Sequence, residues 1–280
     1  MQLTYLGTAS VLIEVAGRRL LTDPAFDPQG TSYDFGPWYA PRSWFASEKT
    51  YTTPELSSGP IDAVLLSHDH HGDNLDMAGR RLLATDTVKK VVTTRAGARR
   101  LGRAKPHDGD TRPGEGLGIA SKVVGLTPGQ VTRIGEITVT ATPARHGPLG
   151  TPQIHEVIGF LIEAPREPTV WISGDTVMYP ALADCIKKLW KRQIGVAVMH
   201  AGGVRFPAVP VIGDQLFTFD AKQLVRAAKL LQPNVIIPVH RDGWSHFRES
   251  TDALKAKIDE AGLGEKTRWL ALGETINLLS

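Results

Sequence analysis

A run of histidine and aspartate residues directly after an apolar segment constrains this chain more than any other feature. Residues 67–76 read SHDHHGDNLD and follow the apolar residues 61–66, so that three histidines and three aspartates fall within nine positions. In an extended chain, residues i and i+2 point to the same side, so His68 and His70 can face one point. Imidazole and carboxylate groups are the usual ligands of zinc and similar ions. The run therefore predicts a metal site at the end of a buried strand, the simpler alternative being a polar loop that caps the following helix.

Three further residues of the same chemical types follow other predicted strands. His146 comes after residues 137–142, Asp175 comes after residues 169–173, and His240 directly follows residues 235–239. Each residue alone could be an ordinary turn or surface residue. Because several predicted strands end in a ligand-type residue, their common placement favours one metal centre built from strand ends.

The overall composition excludes several classes of protein. Of 280 residues, 41% are hydrophobic and 22% charged, as in an average soluble protein. No apolar run approaches the roughly 20 residues of a membrane span, and no signal peptide is evident. The single cysteine, Cys185, rules out a disulfide framework and, with the preceding features, predicts a cytoplasmic protein. The net charge of +3 and basic stretches without interleaved aromatics argue against nucleic-acid binding.

The order of the predicted elements indicates an α/β protein. Strands alternate with helices, which are predicted at residues 75–83, 179–192, 220–231 and 247–261, and the chain closes with strands at 269–272 and 276–279. No change of composition marks a boundary, so we predict a single domain over residues 1–280.

Residues 27–59 form an aromatic insertion within this pattern. Seven aromatic side chains fall in this segment. Long segments of this kind are usually functional or disordered, and aromatic residues argue against disorder. We predict that the insertion lines the substrate pocket, with Trp38 and Trp44 contacting an apolar part of the substrate. The alternative is an interface between subunits of a homo-oligomer.

Taken together, these motifs resemble the metallo-β-lactamase superfamily. The resemblance includes residues 5–10, residues 21–24, the histidine motif and residues 173–176, and it extends to His240. The branch that it resembles contains ascorbate-6-phosphate lactonase and the phospholipase-D-type enzymes that release N-acylethanolamines. The resemblance implies a four-layer αββα sandwich with mixed sheets and a metal site at one edge.

The resemblance also implies a set of ligands for one or two divalent ions. Zinc is the most typical ion, but manganese and iron use the same imidazole and carboxylate ligands. Asp23, in the first motif, would support the site by hydrogen bonding. The implied ligands are His68, His70 and His146 for one ion, Asp73 and His240 for the second, and Asp175 between the two.

The histidine motif departs from the family pattern at one point. The pattern is His-x-His-x-Asp-His followed by Leu-Asp, whereas this chain has one additional residue between His70 and Asp73 and has Asn74 in place of the last histidine. An amide oxygen is a poorer ligand for zinc than an imidazole. Either His71 supplies the missing nitrogen, or the second ion is bound weakly.

These features predict a metal-dependent hydrolase acting on a lactone, an amide or a phosphoester. Two divalent ions would activate a water molecule as the nucleophile, and Asp73 could orient that water or accept its proton. His200, at the end of the segment 194–199, could reach a substrate oxyanion, and Arg145 and Arg241 could bind an anionic group. The alternatives are a non-hydrolytic metal-binding or redox relative and a nuclease of the same fold.

Overall fold

The computed structural model describes residues 1–36, 41–104, 115–147, 149, 155–209 and 212–278. Within these ranges the chain forms fifteen strands, six α-helices and one short 3-10 helix, Gly264–Lys266. The strands are β1 (Gln2–Gly7), β2 (Ser10–Val15), β3 (Arg18–Thr22), β4 (Ser32–Asp34), β5 (Ala46–Glu48), β6 (Ala63–Leu65), β7 (Val91–Thr94), β8 (Val123–Leu126), β9 (Val131–Ile134), β10 (Ile137–Pro143), β11 (Ile158–Glu163), β12 (Val170–Ile172), β13 (Val196–His200), β14 (Val235–Val239) and β15 (Thr275–Asn277). The helices are α1 (Arg42–Phe45), α2 (Met77–Ala84), α3 (Arg95–Gly102), α4 (Pro180–Trp190), α5 (Ala221–Leu231) and α6 (Thr251–Glu260).

Two mixed sheets form the centre of the molecule. The first has the strand order β15-β1-β2-β3-β6-β7-β8, and the second has the order β14-β13-β12-β11-β10-β9. In the first sheet β3, β6, β7 and β8 run parallel, and in the second β12, β13 and β14 run parallel. The carboxyl ends of parallel neighbours lie at the same edge of a sheet, which is where ligand-type residues can converge.

Helices cover the outer face of each sheet, which confirms the predicted αββα sandwich. Side chains alternate between the faces of a strand. In β13, Val196 and Val198 point into the core between the sheets, whereas Ala197 and Met199 pack in the cluster formed with α4, α5 and α6. Helices α2 and α3 contribute to a third apolar cluster, with the first sheet. Within the described ranges, no helix has both the length and the apolar character of a membrane span.

Most predicted elements are present, with two exceptions near the end of the chain. The helix predicted over residues 247–261 begins at Thr251, because the Ser250 side chain accepts from the amide of Ala253 and caps it there. The strand predicted over 269–272 is absent. Ala271 instead starts a turn, since its carbonyl accepts from the Glu274 amide and its own amide donates to the Glu274 carboxylate.

The aromatic insertion carries a hairpin of β4 and β5 that is anchored to α2. Asp27 accepts from the amide of Ala78 at 2.9 Å, and the Tyr33 hydroxyl donates to Asp27 at 2.5 Å. The buried Lys49 ammonium donates to the carbonyls of Ala25 and Asp27 at 2.8 and 2.7 Å. A Cβ on Gly72 would lie 2.6 Å from the Tyr33 ring. The hairpin therefore packs directly on the histidine motif.

Candidate metal centre

The histidine motif bends after β6, at Ser67, Asp69 and His70, and then turns at His71. The Ser67 amide donates to Asp23 Oδ1 at 2.7 Å, and the amide of Leu75 donates to the His71 carbonyl at 2.9 Å. Asp23 is buried and has a φ of 33°, a strained conformation of the kind found at functional sites. Burial raises the pKa of Asp23 well above its ordinary value. Asp23 thus holds the backbone of Ser67, the first residue of the motif, in place.

Three imidazoles converge in a first cluster. His71 Nδ1 lies 3.2 Å from His68 Nε2 and 3.2 Å from His146 Nε2. Two nitrogen ligands on one tetrahedral zinc ion lie roughly 3.3 Å apart. Three ring nitrogens that face one another cannot all be satisfied by shared protons, whereas a cation can accept a lone pair from each. The residues therefore fit a divalent ion.

His70 lies beside these residues, with its ring centroid 4.6 Å from His68 and 4.3 Å from His71, but makes neither of the two 3.2 Å contacts. Its ring stacks on His155, with centroids 3.9 Å apart, and neither of its nitrogens has a hydrogen-bond partner among the described residues. One of its nitrogens still lies within 4.8 Å of ligand atoms of His68 and His71. His70, which we predicted as a ligand, therefore stays a prediction beside His71.

The surroundings of the first cluster keep its three imidazole rings neutral. Burial, which disfavours the charged imidazolium, lowers the pKa of His68 to about 3 and lowers the pKa of His71 and His146. All three rings are therefore neutral near pH 7 and can offer a lone pair to a cation.

Asp175 lies between the first cluster and a second one. A Gly174 φ of +63° turns the chain after β12, and Asp175 Oδ2 lies 3.6 Å from His146 Nε2 and 3.6 Å from His240 Nε2. Although burial opposes it, His240 and His200 lower the pKa of Asp175 below its ordinary value. One ionised carboxylate thus faces both groups of histidines.

The second cluster is centred on Asp73. Its Oδ2 lies 3.1 Å from Nε2 of His240 and 3.1 Å from Nε2 of His246. Although burial opposes it, Asp175 and Asp73 raise the pKa of His240 to about 8, so positive charge is stabilised here. Asn74 lies beside them, and with its amide nitrogen turned to the carboxylates it donates to Asp73 Oδ1 and Asp175 Oδ2 at 3.1 and 3.2 Å.

His200 lies behind Asp175 and is completely buried. Its Nδ1 lies 2.7 Å from Asp175 Oδ1, and its ring stacks on His240 with centroids 5.3 Å apart. We expected His200 to reach a substrate oxyanion. Its short contact with Asp175 and its burial instead make it a partner of the carboxylate.

Family comparison agrees with this architecture. Residues 18–241 match the family model described as the beta-lactamase superfamily domain. The chain belongs to the beta-lactamase superfamily. A protein of Nanoarchaeum equitans named UPF0173 metal-dependent hydrolase is 30% identical over 276 residues, which cover 94% of each chain.

Two solved structures share this fold over nearly the whole chain. Isothiocyanate hydrolase from Delia radicum gut bacteria superposes with a TM-score of 0.72 at 19% identity, covering 100% of both chains. A possible metal-dependent hydrolase from Veillonella parvula has a TM-score of 0.73 at 19% identity, covering 99% of this chain and 98% of its own. At this level of identity the likeness concerns the fold.

An aromatic wall borders the two clusters of this superfamily member. Phe35, which follows β4, has its ring centroid 5.5 Å from His71 and 4.6 Å from His246. Phe217 lies 5.7 Å from His146. Trp44 packs against the apolar cluster that contains Phe45 and Phe206. Trp38 lies outside the described residues. We define the wall as Phe35, Phe206, Phe217 and Trp244. Phe35 belongs to the predicted aromatic insertion, whereas the sequence did not single out the other three.

The prediction that Arg241 binds substrate is wrong, because its guanidinium is occupied within the fold. Arg241 is 9% exposed, donates to the carbonyls of Pro238 and Leu270 at 3.3 and 2.9 Å, and pairs with Asp242. It also lies over the Tyr5 ring. The half-buried Arg145 precedes His146 and stays a predicted contact for an anionic group.

Replacing Arg241 by alanine is therefore expected to destabilise the fold rather than weaken substrate binding. The variant leaves two buried carbonyls without their donor, and we expect the free energy of unfolding to fall by about 2–4 kcal/mol. Urea unfolding of metal-free protein measures this change. Unaltered stability with a raised KM would restore the substrate-binding interpretation.

Proposed function

We propose that this chain is a metal-dependent hydrolase with a two-ion centre built from the two clusters. The observation that carries the proposal is the placement of Asp175, whose Oδ2 faces both groups of histidines at 3.6 Å. Shared carboxylates of this kind hold pairs of ions a few ångströms apart. The name of the Nanoarchaeum equitans relative supports the same activity.

The first metal position is assigned to His68, His71 and His146, with Asp175 completing the set. His71 replaces His70 in this assignment, because His71 Nδ1 has the ligand-like spacing to both other rings. The segment from His71 to Asp76 then has the family spacing of histidine, aspartate and Leu-Asp. Asp73, Asp175 and His240 are assigned to the second metal position.

Bound divalent ions lower the pKa of a coordinated water towards ~7 and so provide a nucleophile at neutral pH. The protein's own groups position this chemistry. Although burial opposes it, His240 and His246 lower the pKa of Asp73 well below its ordinary value. Asp73 is therefore ionised and is assigned to orient the water. His200 holds Asp175 in place through Oδ1.

We infer that the substrate is a small lactone, amide or phosphoester with an apolar or ring-bearing portion. The aromatic wall lies within about 6 Å of histidines in both clusters, as Phe35 and Phe217 illustrate. Such a wall favours apolar groups beside the reacting bond. Zinc suits the nitrogen-rich first position, and manganese or iron are further candidates. A cytoplasmic location and a homo-oligomer stay predictions.

Replacing Phe35 by alanine is expected to raise KM for ring-bearing substrates by about 10-fold, since aromatic contacts contribute about 0.5–1.5 kcal/mol beyond burial. Phe35 offers no ligand, but its ring flanks His246, so metal content is measured on each variant and KM is compared at full occupancy. Steady-state kinetics of Phe35→Ala and Trp44→Ala with paired aromatic and aliphatic esters measure the effect. Trp44 packs against Phe45 and Phe206 and has no ring contact with a cluster histidine among the described residues, so it should give the smaller change. Equal kinetics in both variants and the wild type would favour an interface role for the insertion.

The proposed activity is tested on stripped and reloaded protein. The full chain is treated with a chelator, reloaded separately with zinc, manganese or iron(II), and assayed on lactones, amides and phosphodiesters. We expect hydrolysis of at least one class, lost on chelation and recovered with metal. Failure to bind any of the three metals would contradict the proposal.

A further inference from the structure

A histidine outside the motifs identified in the sequence lies against the second metal position. His246, in the loop after β14, is 3% exposed, and its Nε2 lies 3.1 Å from Asp73 Oδ2. The same carboxylate oxygen lies 3.1 Å from Nε2 of His240. Two imidazoles from one loop region thus meet one carboxylate of the histidine motif.

Asn74 does not fill the position that the family gives to an imidazole. With its amide nitrogen towards the two carboxylates, Asn74 donates to Asp175 Oδ2 at 3.2 Å and to Asp73 Oδ1 at 3.1 Å. A donating amide nitrogen has no lone pair for a cation. His71 is placed with His68 and His146, so it does not supply the missing nitrogen either.

The ring of His246 is held in one orientation by the aromatic insertion. Its Nδ1 lies 2.6 Å from Ser47 Oγ of β5, and its amide donates to the same oxygen at 3.2 Å. Phe35 and Phe247 flank the ring, with centroids 4.6 and 4.7 Å away. Metal-binding histidines almost always engage their second nitrogen in this way, which fixes the tautomer and the ring. Nε2 is left directed at Asp73.

We propose that His246 supplies the second metal ion with the imidazole that Asn74 lacks, and that Ser47 orients it. This inference rests on the two-ion centre proposed above. The second position then has two carboxylates, Asp73 and Asp175, and two imidazoles, His240 and His246. Four such ligands suit zinc. The insertion thereby gains a role in metal binding in addition to lining the pocket.

Metal binding by the full chain tests the inference without an activity assay. Stripped protein is titrated with cobalt(II), followed by its visible absorption, and zinc retained after gel filtration is measured by mass spectrometry. We expect two ions per chain in the wild type and one in His246→Ala. His246→Gln separates the roles, because its amide can still donate to Asp73 but is a poor ligand. We expect it to lose the second ion as well.

A rescue variant and an orienting variant complete the design. Asn74→His in the His246→Ala background should restore binding of the second ion. Ser47→Ala should lower the affinity for the second ion by about 10–100-fold. Wild-type stoichiometry in either His246→Ala or His246→Gln would overturn the inference and leave the proposed function intact. A wild type that binds one ion would also overturn it. A wild type that binds none would overturn the proposed function too.

Discussion

Replacing His71 by alanine is expected to empty the first metal position and to lower kcat/KM by about 10³-fold, since metal stabilisation of a transition state contributes several kcal/mol. The physical reason is that His71 Nδ1 is the nitrogen that lies 3.2 Å from both His68 and His146. Zinc stoichiometry and steady-state kinetics on the same preparation measure both losses.

The neighbouring histidine is the matched control. His70→Ala removes a ring that stacks on His155 and has no hydrogen-bond partner among the described residues. We expect its metal content and kcat/KM to stay within about 3-fold of the wild type, a factor worth less than 1 kcal/mol. The reverse pattern, with His70→Ala losing metal and His71→Ala retaining it, would restore the ligand set that the family pattern implies.

Replacing Asp175 by asparagine is expected to weaken the binding of both metal ions at once. The substitution keeps the shape of the side chain but removes the negative charge that faces both clusters. Without the shared negative charge of Asp175, less of the repulsion between the two metal ions is compensated. We expect metal content to fall below one ion per chain after gel filtration, and kcat/KM to fall by about 10³-fold.

Asp69→Asn provides a control within the same motif. Asp69 is also buried, but it pairs with Arg100 at 2.5 and 2.8 Å and, within the described part of the chain, has no such contact with the clusters. The Asp69→Asn variant should have a lower Tm than the wild type and the same metal content. If Asp175→Asn keeps one ion tightly bound and loses the other, Asp175 belongs to a single position and does not bridge.

Much of the fold and of the centre could be predicted because strands are local features. The apolar segments before His146, Asp175 and His240 mark β10, β12 and β14, and each ligand-type residue comes at or near the end of its strand. The Asp220 cap of α5 follows from the same local chemistry, and its carboxylate accepts from the Gln223 amide at 2.9 Å. The lactonase-like branch of the superfamily stays a prediction.

The choice between His70 and His71 could not be made from the sequence. The alternation of side chains applies only while the chain stays extended. The chain bends at Asp69 and His70 and turns from His71, so the alternation does not hold. His71 lies against His68 and His146, while His70 packs against His155.

His246 was missed for a different reason. It lies 173 positions from Asp73 in the sequence and follows a loop rather than a predicted strand. What brings it to the centre is its contact with Ser47 of the hairpin, 199 positions away. The packing of the insertion on the histidine motif creates this contact, and no local pattern contains it.

A crystal structure of the zinc-reloaded chain, with anomalous scattering at the zinc edge, tests the central claim most directly. We expect two anomalous peaks per chain with Asp175 between them, one bound by His68, His71 and His146. The second is expected beside Asp73 and His240. A peak bound by His70 with His71 turned away, or no peak in this region, would contradict it.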